Sequence, residues 1–472
     1  MKQYIRELEP FHKSDILDIM GDDEEVFRKL RINKIINKNE GYYNFHYVGV
    51  IAVGDIVLYV YPKYIPDKNN IKEDFKEVLK VINKYNRVHE DFDNLNDDLE
   101  DISMYILSLM LFFIEDYYEN GVYHNIKHIL ETNGNGEINW NRTVNDTFPI
   151  IINKKPFYTD LQTNYKMDNI FNYFRLLHEY IITKCSKYME KFGLLDMFDL
   201  SPVELSDKEL DDFGDIDYIL NRLMMELNVE FNTHKRKLLK SMHDYLTQLN
   251  SFSHDKLLSL YGTRAYHEIW EEMCAQVFNN KLDTKLIDLD VGFESKHSLK
   301  KELSDLGIDC ESTLINIIKK PTWIFDGFSV DKDTFIPDLI SIDADKKLFM
   351  IFDAKYYDLD IDYIKKSLKY QPGLSSITKQ YLYELAYQDL INTIEFSAKN
   401  AFLFPKYDGE AENIGCVELE ILHDLHLKNI QLIKLPADKV NQYYLDNTYM
   451  EISELNLKND CDKNSFISFS KE

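Results

Sequence analysis

A chain of 472 residues is too long for one ordinary hydrophobic core, so two or three domains are expected. Hydrophobic residues at 44% and aromatics at 13% exclude an intrinsically disordered protein. A net charge of −26, from 55 basic and 81 acidic side chains, excludes a protein that coats nucleic acid non-specifically, although a local basic track is compatible with acidic domains.

The opening residues Met1-Lys2-Gln3-Tyr4-Ile5-Arg6-Glu7 show no apolar signal core, and no apolar run approaches 18 residues. Five dispersed cysteines form no CxxC pair. The expectation is a cytoplasmic, reduced protein without a membrane span. Residues 47–55 and 56–64 are two β-rich runs around Gly54-Asp55, which predicts a hairpin closed by Pro62. Residues 1–68 therefore read as a β-rich module.

Residues 70–130 read as mostly helical, and 102–114 is apolar on nearly every side, as a buried helix requires. Asn133-Gly134-Asn135-Gly136 is a turn, and 165–250 is again helical with loops near 207–217. The acidic runs 90–101 and 207–217 lack the order of a calcium loop and read as solvated loops or helix ends. His124 and His128 have helical metal-ligand spacing, but two histidines are too few for a site and read as a surface pair. Residues 69–254 form a mainly helical middle region, and the last domain, 255–472, opens on a new helix. The fold class is α+β, with a mixed sheet in the C-terminal α/β domain.

That domain carries the chemistry. Residues 334–342 read as one strand containing Pro337-Asp338, 343–346 as a polar turn, and 347–356 as the returning strand with Asp353-Ala354-Lys355. Side chains alternate along a strand, so Asp353 and Lys355 share a face, and the turn brings Asp338 near them. Two carboxylates plus a substrate phosphate suit Mg²⁺, which polarises the phosphate and acidifies water; a lysine orients that water and offsets transition-state charge. The plain alternative is a solvent-facing salt bridge at a strand end.

A third carboxylate is expected from the helical segment 266–278. Glu271 has Cys274, Ala275 and Phe278 at i+3, i+4 and i+7, which puts it on a largely apolar face; Glu268 is the runner-up, and Glu272 lies nearby. An ordinary amphipathic helix would read the same way. Downstream, Gln380, Tyr383 and Tyr387 line one side of a helix, and Lys379 and Gln380 are candidates for contact with the DNA backbone or the active-site water. An ordinary core helix with a polar edge fits equally.

Strand, Pro-Asp, turn, strand and Asp-x-Lys, preceded by a glutamate-bearing helix, resembles the PD-(D/E)xK nucleases. Val48-Gly49-Val50-Ile51 with Val60-Tyr61-Pro62-Lys63-Tyr64 resembles the opening of McrC-type proteins. With Gly136-Glu137-Ile138-Asn139-Trp140-Asn141-Arg142-Thr143 added, the chain resembles the LlaJI-type restriction endonucleases, in their McrC-like subunit. The resemblance implies Asp338 and Asp353 as metal ligands, Lys355 as catalytic lysine and Glu271 as a further carboxylate. It also implies double-stranded DNA as substrate, a McrB-like AAA+ GTPase as partner and a cognate DNA methyltransferase in the same system. None of the sixteen glycines precedes a lysine, so a nucleotide-driven motor must be a separate chain. Two other readings are a non-catalytic activator of an AAA+ partner and a stand-alone DNA repair nuclease.

Overall fold

The computed structural model describes residues 2–54, 56–66, 71–88, 106–124, 126–168, 172–251, 258–291, 296–305, 307–362 and 364–458. It is a mixed α+β protein. The acidic run 90–101 lies outside the described residues. Among those described, no helix is long and apolar enough to cross a membrane.

The expected strands are Val48–Val53 and Ile56–Tyr61, neighbours in a four-stranded sheet with Lys2–Arg6 and Leu258–Thr263. Pro62 follows directly, where a strand loses its next amide donor. The N-terminal segment also holds two helices, Lys13–Ile19 and Glu24–Ile32, that its β-rich reading did not include.

Two compact units are present. One comprises residues 50–57 and 96–261. Its helices are Ile106–Asn120, Tyr173–Phe192, Ile216–Val229 and Thr233–Ser251. The described part of the expected apolar run, 106–114, lies in the first of these helices, with Leu107, Phe113 and Ile114 fully enclosed. Residues 126–130 are not helical: Ile126–Thr132 pairs antiparallel with Gln162–Asp168. The helical spacing of His124 and His128 is therefore not realised, and the His128 side chain lies outside the described residues. At 207–217 the Asp212 carboxylate accepts from the Glu209 N–H at 2.9 Å, and Glu209 pairs with Lys184 at 2.7 Å, as in a solvated helix end.

The other unit comprises 2–49, 58–95 and 262 onward. The helix expected to open near 255 starts instead at Tyr266, after the Leu258–Thr263 strand. The centre of the unit is a five-stranded mixed sheet in the order Leu339–Asp343, Leu348–Ala354, Ser397–Lys406, Ile430–Pro436, Glu412–Val417. The three inner strands are parallel and each edge strand is antiparallel to its neighbour. Phe349 and Ile351 pack with Tyr383 and Tyr387 of the Leu374–Thr393 helix. On the opposite side Phe352 meets Phe278, and the Trp270 indole donates to the Leu403 carbonyl at 3.2 Å. The sheet is thus covered on both faces, as parallel strands require.

Candidate active site

The Leu348–Ala354 strand is buried for six of its seven residues, and its last polar side chain is Asp353. Antiparallel pairing of Leu339 with Phe352 sets Asp338 opposite Asp353, one step beyond the paired strand. The strand expected over 334–342 is shorter at its start: it runs from Leu339 to Asp343, Asp338 immediately precedes it, and 332–337 is irregular. Pro337 explains this, because it has no amide to give a ladder. The Asp338 carboxylate accepts the Ala354 N–H at 2.8 Å and so ties the end of this strand to the next. Asn280 braces the same strand by accepting the Ile340 N–H at 3.0 Å.

Lys355 lies just past the strand and reaches both Asp353 oxygens, at 2.9 and 2.8 Å. Its own N–H donates to the Leu403 carbonyl at 2.8 Å, which fixes where the side chain starts. Tyr356 points the other way. Its hydroxyl donates to Glu7 at 2.5 Å, and the Lys63 ammonium lies 3.9 Å over its ring. No spacing in the sequence joins residues 7, 63 and 356, so that brace was not legible there.

The electrostatics follow from two buried carboxylates meeting. Burial, then the charge of Asp353 and its hydrogen bond, push Asp338 from the usual carboxylate range up to about 8. Burial pulls Lys355 down, but Asp353, with Asp338 and Glu271, carries it above the ordinary lysine range. Burial, with the same two aspartates, also pushes the Tyr383 hydroxyl up; it donates to the Ile336 carbonyl at 2.7 Å and so holds the segment before Pro337.

Of the three helix glutamates, Glu271 belongs to this field. Burial raises it, Lys355 opposes that, and Asp353 and Glu268 add to it. Glu268 is exposed, and the charge of Glu272 acts on Lys84 and Tyr444. Lys379 is exposed on its helix. Gln380 is not available for the DNA contact expected of it. The stripe Gln380, Tyr383, Tyr387 faces the sheet rather than solvent, and Gln380 is fully buried with its amide donating to the Ile351 carbonyl at 3.0 Å. It holds the strand that carries Asp353.

The donors fit a hard divalent cation: oxygen-only ligands, two carboxylates that repel in a buried setting, and no thiolate or imidazole among them. Asp338 and Asp353 would hold it. Among the described residues no group of three or more His, Cys, Asp or Glu side chains converges as a metal cluster, so Glu271 contributes charge from a distance in this arrangement.

The model of the LlaJI restriction endonuclease family matches residues 47–288 and 309–467. The "Type II restriction enzyme BsuMI component YdjA" of Bacillus subtilis is 26% identical over 473 residues, covering 96% of this chain and 91% of that protein. Among solved structures, the assembly of Thermococcus gammatolerans McrB AAA+ hexamers with bound McrC aligns at 12% identity, over 95% of this chain and 100% of that one, with a TM-score of 0.33. The McrBC complex of the same organism aligns at 12% identity, over 58% of this chain and 86% of that one, with a TM-score of 0.26. The chain belongs to the LlaJI restriction endonuclease family.

Proposed function

We propose that this member of a restriction endonuclease family is the nuclease subunit of a McrBC-like system, hydrolysing DNA phosphodiester bonds in defence against foreign DNA. The observation that carries the reading is Asp338 facing Asp353 across the strand register, with Lys355 bound to both Asp353 oxygens. Asp338 and Asp353 hold Mg²⁺, with Glu271 adding negative charge nearby. The cation supplies Lewis-acid polarisation of the phosphate and acidification of water. Lys355, drawn from Asp353 toward the phosphate, orients the attacking water and offsets charge on the transition state. Asn280, Tyr383 and Gln380 keep the two strand ends in place, and Lys379 offers an exposed cation to the DNA backbone. The nuclease domain spans about 255–472, and the N-terminal and middle regions dock a McrB-like AAA+ GTPase. The system acts in the cytoplasm beside a cognate DNA methyltransferase.

Plasmid cleavage tests this, comparing wild type with Asp353→Ala in Mg²⁺, with and without the motor subunit and GTP. Cleavage only by wild type, and only with motor and GTP, is the expected result. Equal cutting by both proteins would make the hairpin structural and the assignment wrong. Cutting by the chain alone, without nucleotide, would favour a repair nuclease.

A further inference from the structure

Residues 12–45 form a segment that the cleavage chemistry does not use. Helix Lys13–Ile19 is followed by the four-residue link 20–23, and then by helix Glu24–Ile32. Gly21 in the link has φ +71°, the left-handed backbone that a tight turn between helices needs. Asp23 caps the second helix by accepting the N–H groups of Glu25 at 2.9 Å and Val26 at 3.3 Å. Ile16, Met20, Val26, Phe27 and Leu30 are buried, and the Phe27 ring meets that of Tyr43 in the strands that follow at 5.2 Å. Those strands, Ile36–Asn39 and Tyr42–Phe45, form a hairpin whose two turn residues, Glu40 and Gly41, both have positive φ. Helix, short Gly-containing turn, helix and hairpin is the order of a helix-turn-helix unit with a β-wing.

Charge then distinguishes one face. Residues 26–39 carry Arg28, Lys29, Arg31, Lys34 and Lys38 and no acid, in a chain whose net charge is −26. Arg28, Arg31, Lys34 and Lys38 are exposed. The acids at the start of the helix are already engaged: Glu24 with Lys13 at 2.8 Å and Glu25 with Lys29 at 3.9 Å. The Arg31 and Lys38 cations lie 6.0 and 5.8 Å from the Tyr43 ring, so helix and hairpin present their charge together. Large exposed apolar side chains in this segment are limited to Ile32 and Tyr42 among the described residues. That is too little for the apolar centre of a protein interface, or for a row of stacking rings that would hold a single strand.

We infer that residues 12–45 bind duplex DNA, through the C-terminal half of the Glu24–Ile32 helix and the adjoining hairpin. The choice of duplex DNA as ligand rests on the nuclease reading above; the face itself does not depend on Asp338 or Asp353. Basic side chains on a helix reach phosphates and base edges in a major groove, while a wing lies on the backbone.

The test is fluorescence anisotropy of the full chain with a mixed-sequence duplex of about one or two half-sites, in EDTA and across a salt series. The proteins compared are wild type, Arg28→Gln/Arg31→Gln, Lys38→Gln, Asp353→Ala and, as a control on an exposed side chain of the other unit, Lys187→Gln. The double variant should bind roughly tenfold more weakly or worse, with a salt slope lower by about 2, and Lys38→Gln should lower the slope by about 1. Lys187→Gln should bind as wild type. Unchanged circular dichroism and melting would establish that the charge variants are folded. Wild-type binding by the double variant overturns the inference, as does absence of duplex binding by wild type, or equal competition by single-stranded DNA or heparin. If Asp353→Ala still cuts plasmid while the double variant loses duplex binding, the nuclease assignment falls and this face stands.

Discussion

Replacing Asp338 by Asn should make the metal-free protein more stable while abolishing DNA cleavage. Asn is isosteric: its carbonyl oxygen can keep the 2.8 Å bond from the Ala354 N–H, and its amide can donate to Asp353 where the protonated acid does. The gain follows from the raised carboxyl, which moves from 3.8 to about 8. Between those values the unfolded chain is ionised and the folded chain holds a proton, so stability falls as pH rises, by about 1.4 kcal/mol per pH unit. At pH 8 the accumulated cost is at most about 5 kcal/mol, and relaxation around the pair absorbs part of it, which leaves on the order of 4 kcal/mol. Removing it should raise the melting point of the affected unit by up to roughly 10 °C. The assay is thermal denaturation in EDTA at pH 4, 6 and 8. The variant's advantage should be near zero at pH 4, intermediate at pH 6 and largest at pH 8. Added Mg²⁺ should stabilise wild type and narrow the gap, since a ligand that binds only the folded state adds stability by mass action. An Asn variant less stable than wild type at pH 8 without metal, or an advantage independent of pH, would refute the account of two opposed buried carboxylates.

Gln380→Leu should cost about 1–3 kcal/mol, because the Ile351 carbonyl loses its buried donor. DNA affinity should stay unchanged; a drop in affinity without loss of stability would restore Gln380 as a DNA contact. Gly262→Ala should destabilise the chain by roughly 3 kcal/mol, seen as a lower denaturation midpoint, since Gly262 has φ +151° and a Cβ there would run into the Val48 carbonyl oxygen and Gly49 Cα. In the helical unit, burial lowers His178 from 6.5 to about 4, with Asp116 opposing and His234 assisting, and its ring accepts the Tyr123 N–H at 3.0 Å. The unfolded state therefore takes the proton first on acidification, and about 3 kcal/mol of that unit's stability should be lost between pH 6.5 and pH 4. His178→Asn keeps an acceptor but does not titrate, so its stability should vary less with pH across this window; an unchanged pH slope would count against the histidine.

What the residue pattern disclosed and what it concealed divide along a physical line. Period-two alternation and two apolar runs about a polar turn bring Asp338 near Asp353 to within a couple of residues of register, and the observed pairing of Leu339 with Phe352 sets the two directly opposite. The glutamate was harder to choose. Glu268, Glu271 and Glu272 differ only in which way one helix turns, and Glu271 was picked by its apolar neighbours Cys274 and Phe278, both buried in the structure. Gln380 shows where such reasoning stops. Its stripe with Tyr383 and Tyr387 was visible, but a stripe of amides and hydroxyls does not say whether it faces solvent or a neighbouring carbonyl. Only the sheet, assembled from strands up to residue 436, supplies the Ile351 oxygen that decides it. The N-terminal helices failed for a different reason. Asp23 before Glu24-Glu25-Val26-Phe27 is a helix-start signal. With seven and nine residues, however, the two helices are shorter than isolated helices need to be stable in water. They stand because Ile16, Phe27 and Leu30 are buried, Phe27 against the Tyr43 ring of the hairpin, a tertiary condition that local propensity does not contain. A short amphipathic helix beside a hairpin should therefore be read with that hairpin, and here the joint reading sets Arg31 of the helix beside Lys38 of the hairpin around the Tyr43 ring.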